Sequence, residues 1–358
     1  MKIRWWPHTG DPRVASYRLR CLQIVDALAR GGVDAGLYRP DAPDRPDLLI
    51  LSKRYDAATL EHALALRSRT GCRLLLDLCD NHLHVNNAEP RLLARADALR
   101  RAIAAADHVV TASEALAEVV REDCPTPLGI SVIADAAEPP FEPVGLTRLR
   151  HGVAEMALRG LAASLERSAI PRARRLLWSG NHGSAGVEGG MADLQRIRAA
   201  LELAHAARPL SLTVISNDRG KHQQLVRGWQ LPCHYLAWDA HSFSRAARLH
   251  GVALIPVGLN PFTRCKTNNR VATAFLHGLN VVADAIPSYR EFAGCAVLDE
   301  WPRGLGPYLD DAARRERDLV DAQALLRERY SLDRIATQWR AVIEDAVAAG
   351  RAPHGADA

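Results

Sequence analysis

Residues 260–270, Asn-Pro-Phe-Thr-Arg-Cys-Lys-Thr-Asn-Asn-Arg, gather more chemistry than any other stretch of this chain. They follow an apolar run that ends at Pro256-Val257-Gly258 and lead into a helical pattern stopped by Gly278. A helix N-terminus presents unpaired amide hydrogens and the positive end of the helix dipole, both suited to a phosphate. Lys266 and Arg270 stand four apart, so on a helix they share one face and offer two cations to a diphosphate. Asn268 and Asn269 add neutral donors. The same pattern also fits a polar helix start that carries a solvated basic pair.

A second group, residues 77–84, closes a buried apolar strand. Asp80 could orient the imidazole of His82, with His84 behind it, or act as a general base. An Asx-type cap on a polar strand-end turn is the plainer alternative. In the loop Gly180-Asn181-His182-Gly183-Ser184 the glycines let backbone amides approach a phosphate, and a flexible loop fits nearly as well. The stretch from His8 to Arg13 leads to Ser16 and Arg18. Arg18 and Arg20 could serve an anionic acceptor, although an amphipathic helix leaves one of them simply solvated. Ser216 and Trp238 end two further apolar runs, and Trp238 fits a core position as well.

Other chemistries lack their residues. There is no GxGxxG after the first strand, no P-loop, no HExxH and no GxSxG. Seven cysteines are scattered without a CxxC pair, which points to reduced thiols and away from a zinc framework. No metal or cofactor is expected. With 46 Lys+Arg against 41 Asp+Glu the net charge is +5, mild enough for anionic small molecules or a weak pull toward acidic lipid. Aromatics at 5% and no basic stripe argue against nucleic acid. Only Lys2, Lys53, Lys221 and Lys266 are lysine in an arginine-rich chain.

The elements that must hold these residues read as alternating strands and helices. Strands are expected at 3–6, 35–38, 48–51, 74–78, 108–111 and 130–133, with helices at 17–30, 57–69, 91–105 and 114–121 between them. After a break the rhythm resumes, with strands at 176–178, 212–215, 234–236, 252–256 and 281–283. Helices are expected there at 221–228, 242–249 and 266–277, and two more end the chain at 319–328 and 332–348. Strands joined by helices of this length form parallel sheets. With 358 residues, the chain divides into two doubly wound Rossmann-like domains. The expected division is an N-terminal domain over 1–145, a helical linker over 146–172, a C-terminal domain over 173–330, and a helix crossing back over 331–358. The linker is arginine- and leucine-rich, so a membrane-touching face is the sharper reading and a solvated helix the plainer one. Ligands of such sheets sit at strand carboxyl ends, which makes a cleft between the domains the natural site.

At this point the sequence resembles a known family. Ala253-Leu-Ile-Pro256, Lys266-Thr-Asn-Asn-Arg270, Gly278-Leu-Asn-Val-Val-Ala283 and Pro287-Ser-Tyr-Arg-Glu291 look like the second domain of GT-B glycosyltransferases. Residues 15–20, 106–113 and 330–339 are similar to that family's first loop and helix, late first-domain strand and last helix. The scattered thiols and an N-terminus without a signal-peptide h-region point to the cytoplasm, with peripheral contact at the inner membrane face as the further option. The resemblance implies a metal-independent enzyme. It would move a hexosyl or related group from a nucleotide-sugar donor to a glycan, lipid-linked or small-molecule hydroxyl, as in polysaccharide biosynthesis. It implies Lys266 and Arg270 as phosphate ligands, His82 facing the donor sugar, and Ser216 and Trp238 near base and ribose. The family's Glu-x7-Glu motif is missing, because Cys265 and Thr273 occupy its positions. That departure keeps two alternatives open: a GT-B nucleotide-sugar 2-epimerase, and a non-catalytic nucleotide-sugar-binding protein.

Overall fold

A computed structural model describes residues 1–85, 89–124, 129–141, 151–183, 189–301 and 303–349. The chain forms two compact units. Unit 1 comprises Met1–Ala137, Arg264–Thr267 and Glu328–Ala358; unit 2 comprises Glu138–Thr263 and Asn268–Arg327.

Unit 1 is built on six parallel strands: β1 (Lys2–Pro7), β2 (Asp34–Leu37), β3 (Leu48–Ser52), β4 (Arg73–Leu78), β5 (His108–Thr111) and β6 (Gly129–Val132). Their order is β2-β1-β3-β4-β5-β6, so the winding reverses between β1 and β3. Helices cover both faces, which is why β3 reads Leu-Leu-Ile-Leu-Ser and is buried throughout. Local chemistry sets the helix ends. The Asp56 side chain caps Ala57–Thr70 through the Thr59 amide, Gly71 ends it at φ +73°, and Ser113 caps Glu114–Asp123. The late helix Leu332–Ala349 also belongs to this unit. Its Trp339 meets Trp5 edge-on at 5.7 Å between ring centres, with Ile335 and Ile343 in the same core.

Unit 2 carries β7 (Arg175–Ser179), β8 (Ser211–Ser216), β9 (Cys233–Ala237), β10 (Val252–Ile255), β11 (Asn280–Ala283) and β12 (Val297–Leu298). The order is β12-β11-β10-β7-β8-β9, all parallel, and the winding reverses between β7 and β10. The expected strands are therefore present, with β12 added; two residues are too few to leave a pattern. Helix Gly152–Arg167, which falls in the stretch expected as a linker, packs into unit 2 through buried Leu158, Leu161 and Leu165. The start of that linker, residues 146–150, lies outside the described residues.

One helix differs from expectation where the chemistry sits. The helix expected from residue 266 runs over Asn269–Leu276 instead, after a 3₁₀ turn at Thr263–Cys265. Side-chain bonds hold that turn: the Asn260 carbonyl accepts the amides of Phe262 and Thr263, and the Thr263 hydroxyl donates to Gly258 O at 2.6 Å. Lys266 therefore lies outside the helix, and it shares no helical face with Arg270.

Candidate functional site

In unit 2 the strand-end loops after β7 and β10 flank the point where the winding reverses, the usual ligand position of a doubly wound sheet. Arg270 stands there in the first turn of Asn269–Leu276. Its guanidinium carbon lies 5.1 Å from the ring centre of the fully buried Trp178. Gly180 makes this approach feasible, because a Cβ there would stand 3.2 Å from the Trp178 ring and 3.7 Å from the guanidinium carbon. The residue as a whole is half-buried, yet Nε and Nη2 are shielded from solvent and find no hydrogen-bond partner among the described residues. Burial pushes the guanidinium pKa down, with Tyr289 and Asp193 opposing. A shielded cation without its own carboxylate is costly unless something negative joins it.

The loop beside it is tightly built. Ser216 Oγ donates to Gly180 O at 2.8 Å, Asn217 Oδ1 accepts the His182 amide at 3.0 Å, and Asn181 Oδ1 accepts the Gly183 amide at 3.0 Å. Gly183, Gly189 and Gly190 all have positive φ, and a Cβ on Gly183 would stand 2.9 Å from Gly189 O. Lys221 Nζ donates to His182 O at 2.8 Å. Gly180, Asn181, His182 and Ser216 are thus brought together; Ser184 lies outside the described residues. Trp238 is half-exposed at the end of β9, where its amide donates to Ser216 O, so it is not part of the core. Asn268 is buried, and its side-chain amide donates to Glu291 Oε1 at 3.1 Å. Asn269, half-buried, opens the helix.

Unit 1 holds the second group. Past the end of β4, the Asp80 carboxylate is ion-paired with the ammonium groups of both Lys53 and Lys266. Burial alone would raise the Asp80 pKa, but Lys266 and Lys53 outweigh it and hold the carboxyl well below its usual range. A carboxylate that gives up its proton so readily is a weak general base near neutrality. His82 Nδ1 contacts the Tyr55 hydroxyl. Burial first, then Lys53 and Arg95, push the His82 pKa down to about 3 against the pull of Asp80, and its ring is neutral at physiological pH.

The early loop divides. Ser16 Oγ is shielded and without a partner among the described residues, and Arg18 donates to Pro12 O at 2.9 Å. Arg20 is fully buried and paired with Asp77 and Asp135 at 2.7 and 2.8 Å, so it serves the core and no acceptor. It lies in a π-helical turn at Arg18–Leu22. Sequence reasoning missed Lys53, Tyr55, Trp178 and Asp193. Lys53 alone left a signal, as one of four lysines and directly after an apolar strand.

No protein-family model and no curated protein matches the sequence. Solved structures match its fold. Sucrose-phosphate synthase from Thermosynechococcus elongatus matches with a TM-score of 0.67 at 13% identity, over 98% of this chain and 100% of that one. HepE from Anabaena in complex with UDP matches at 0.64 and 15%, over 96% and 100%. A glycosyltransferase from Rickettsia africae matches at 0.64 and 9%, over 97% and 98%. The chain has the GT-B fold. In GT-B terms unit 2 is the second Rossmann-like domain, and Arg270 stands in the first turn of its helix after β10. Identities this low speak for the fold; the site rests on the residues just described.

Proposed function

We propose that this GT-B protein is a glycosyltransferase that moves a sugar from a nucleotide-activated donor to a hydroxyl of a glycan, lipid-linked or small-molecule acceptor. The observation that carries this reading is Arg270, a shielded guanidinium with two unpartnered nitrogens at the reversal point of unit 2. A diphosphate supplies the missing anionic oxygens, and charge that develops on the departing nucleotide strengthens the interaction in the transition state. HepE was solved with UDP-glucose, which makes that nucleotide sugar the first donor to try.

His82 of unit 1, whose Nδ1 meets the Tyr55 hydroxyl, is proposed as a neutral hydrogen-bonding group for sugar hydroxyls. Lys266, which pairs with Asp80 beside Lys53, is proposed as a further phosphate ligand. Cations in place of a divalent ion fit a metal-independent transferase. A second reading, a nucleotide-sugar-binding protein without turnover, draws on Asp80, whose depressed pKa leaves it a weak base. Peripheral membrane contact would fall on helix Gly152–Arg167, where Val153 and Met156 are exposed; no described helix is long and apolar enough to cross a membrane. Nucleotide release from UDP-glucose, with and without acceptors, tests the proposal. Release that rises with an acceptor supports transfer; binding without release under any acceptor supports the second reading.

A further inference from the structure

A cluster elsewhere in unit 2 has the composition of a metal site. His151 directly precedes helix Gly152–Arg167 but makes no side-chain capping bond to it. Its Nδ1 stands 3.4 Å from Oδ2 of Asp239. His241 Nδ1 stands 3.9 Å from Oδ1 of the same carboxylate. The two imidazoles stack at 3.5 Å between ring centres with 26° between their planes, and one ligand atom from each of the three residues lies within 4.8 Å of the others. All three side chains are half-buried, so an ion can enter.

The spacing and the donor types agree. Metal–ligand bonds of ~2.1 Å place tetrahedral ligand atoms roughly 3.4 Å apart. His151 Nδ1 and Asp239 Oδ2 already stand at 3.4 Å, and His241 Nδ1 and Asp239 Oδ1 at 3.9 Å. The three ligand atoms, within 4.8 Å of one another, draw in by small side-chain rotations. Two imidazoles and one carboxylate suit zinc and its first-row neighbours, whereas magnesium and calcium prefer oxygen alone. Asp239 Oδ1 is engaged by the amides of His241 and Ser242 at 2.9 and 3.1 Å, the N-cap of Ala240–Ala247. Those bonds fix the carboxylate and leave Oδ2 to turn toward an ion. Phe141 packs edge-on against the His241 ring at 5.2 Å and limits its rotation. Arg245 and Glu155 already pair the same two helices with a bidentate ion pair, one arm of which is 2.9 Å.

We propose that His151, Asp239 and His241 bind one zinc-class divalent ion, with a fourth position open to water, and that the ion fastens the start of Gly152–Arg167 to the start of Ala240–Ala247. This site is independent of the nucleotide reading and uses none of its residues.

The test is a zinc titration of the full chain, first freed of metal by a chelator and read by competition with a chromophoric chelator. The expected result is one tight equivalent and a rise in Tm on binding. His151→Ala and His241→Ala each weaken that equivalent by more than about 100-fold, beyond what loss of a supporting outer partner costs, and leave the metal-free Tm unchanged. Because neither variant touches a cysteine, loss of binding assigns the ion to this cluster and not to thiols. Cobalt substitution adds a second readout: a tetrahedral-type visible spectrum without thiolate charge-transfer bands, abolished in His151→Gln. Unchanged zinc affinity in both histidine variants, no tight equivalent in the unmodified chain, or a thiolate-type cobalt spectrum would each overturn the proposal.

Discussion

Replacing Arg270 by Met should make the ligand-free protein more stable while ruining nucleotide binding, a pairing that a merely structural arginine does not produce. Nε and Nη2 are shielded without partners, and each unmet donor costs about 1–3 kcal/mol. Since the residue is only half-buried, the lower end applies, about 2 kcal/mol for the pair. The Trp178 contact at 5.1 Å returns about 1 kcal/mol. Methionine keeps much of the packing and removes the charge, so the net gain is about 1 kcal/mol, or a Tm rise of roughly 2–4 °C for a unit of this size. With UDP bound, the arginine would make two charge-assisted hydrogen bonds of about 1.5–3 kcal/mol each. Their loss weakens UDP by roughly 100-fold to 10,000-fold. Scanning calorimetry on the ligand-free variant and isothermal titration with UDP read both effects. A Tm lowered by several degrees together with unchanged UDP affinity would refute the reasoning.

Other consequences are as direct. Gly180→Ala brings a methyl to 3.2 Å from Trp178 and toward Arg270, and should weaken UDP about tenfold, near 1.4 kcal/mol, in the same titration; unaltered affinity would remove Gly180 from the site. Asp80→Asn leaves Lys53 and Lys266 without their shared carboxylate and should cost about 3 kcal/mol in denaturant unfolding. If Asp80 were instead the general base, stability would hold and turnover alone would collapse. Stability should also fall in acid through His250, which is fully buried between Ala246 O and Thr213 Oγ1 with a pKa pushed by burial from 6.5 down to about 4. The folded state binds the proton less readily than the unfolded one, so this contribution is complete above 6.5 and is lost as pH drops toward 4, amounting to about 3 kcal/mol. Denaturant midpoints that stay flat across that window would contradict it.

Much of this was legible in the sequence because parallel strands buried on both faces leave unmistakable apolar runs, such as Leu48–Ser52. Caps were legible too, since Gly71 and Gly278 end helices in the left-handed conformation. Side-chain partnerships were not. Periodicity leaves one of Arg18 and Arg20 solvated without saying which, and it does not reveal that Arg20 is buried between Asp77 and Asp135. The spacing of Lys266 and Arg270 suggested one helical face, but bonds from Asn260 and Thr263 delay the helix to Asn269. Lys266 then pairs with Asp80, a residue 186 positions away, and no local pattern encodes that pairing. Arg270 was singled out as a phosphate ligand by type and helix position, while its stacking on Trp178 and its missing partners needed coordinates.

The central claim is transfer from a nucleotide sugar, and the most direct measurement follows UDP released from UDP-glucose while an acceptor panel is screened for glucosylated product. The account predicts release that depends on an acceptor, matches product mole for mole, and disappears in Arg270→Met. UDP-glucose bound tightly by the unmodified protein, with neither release nor product for any acceptor or other donor sugar, would contradict it.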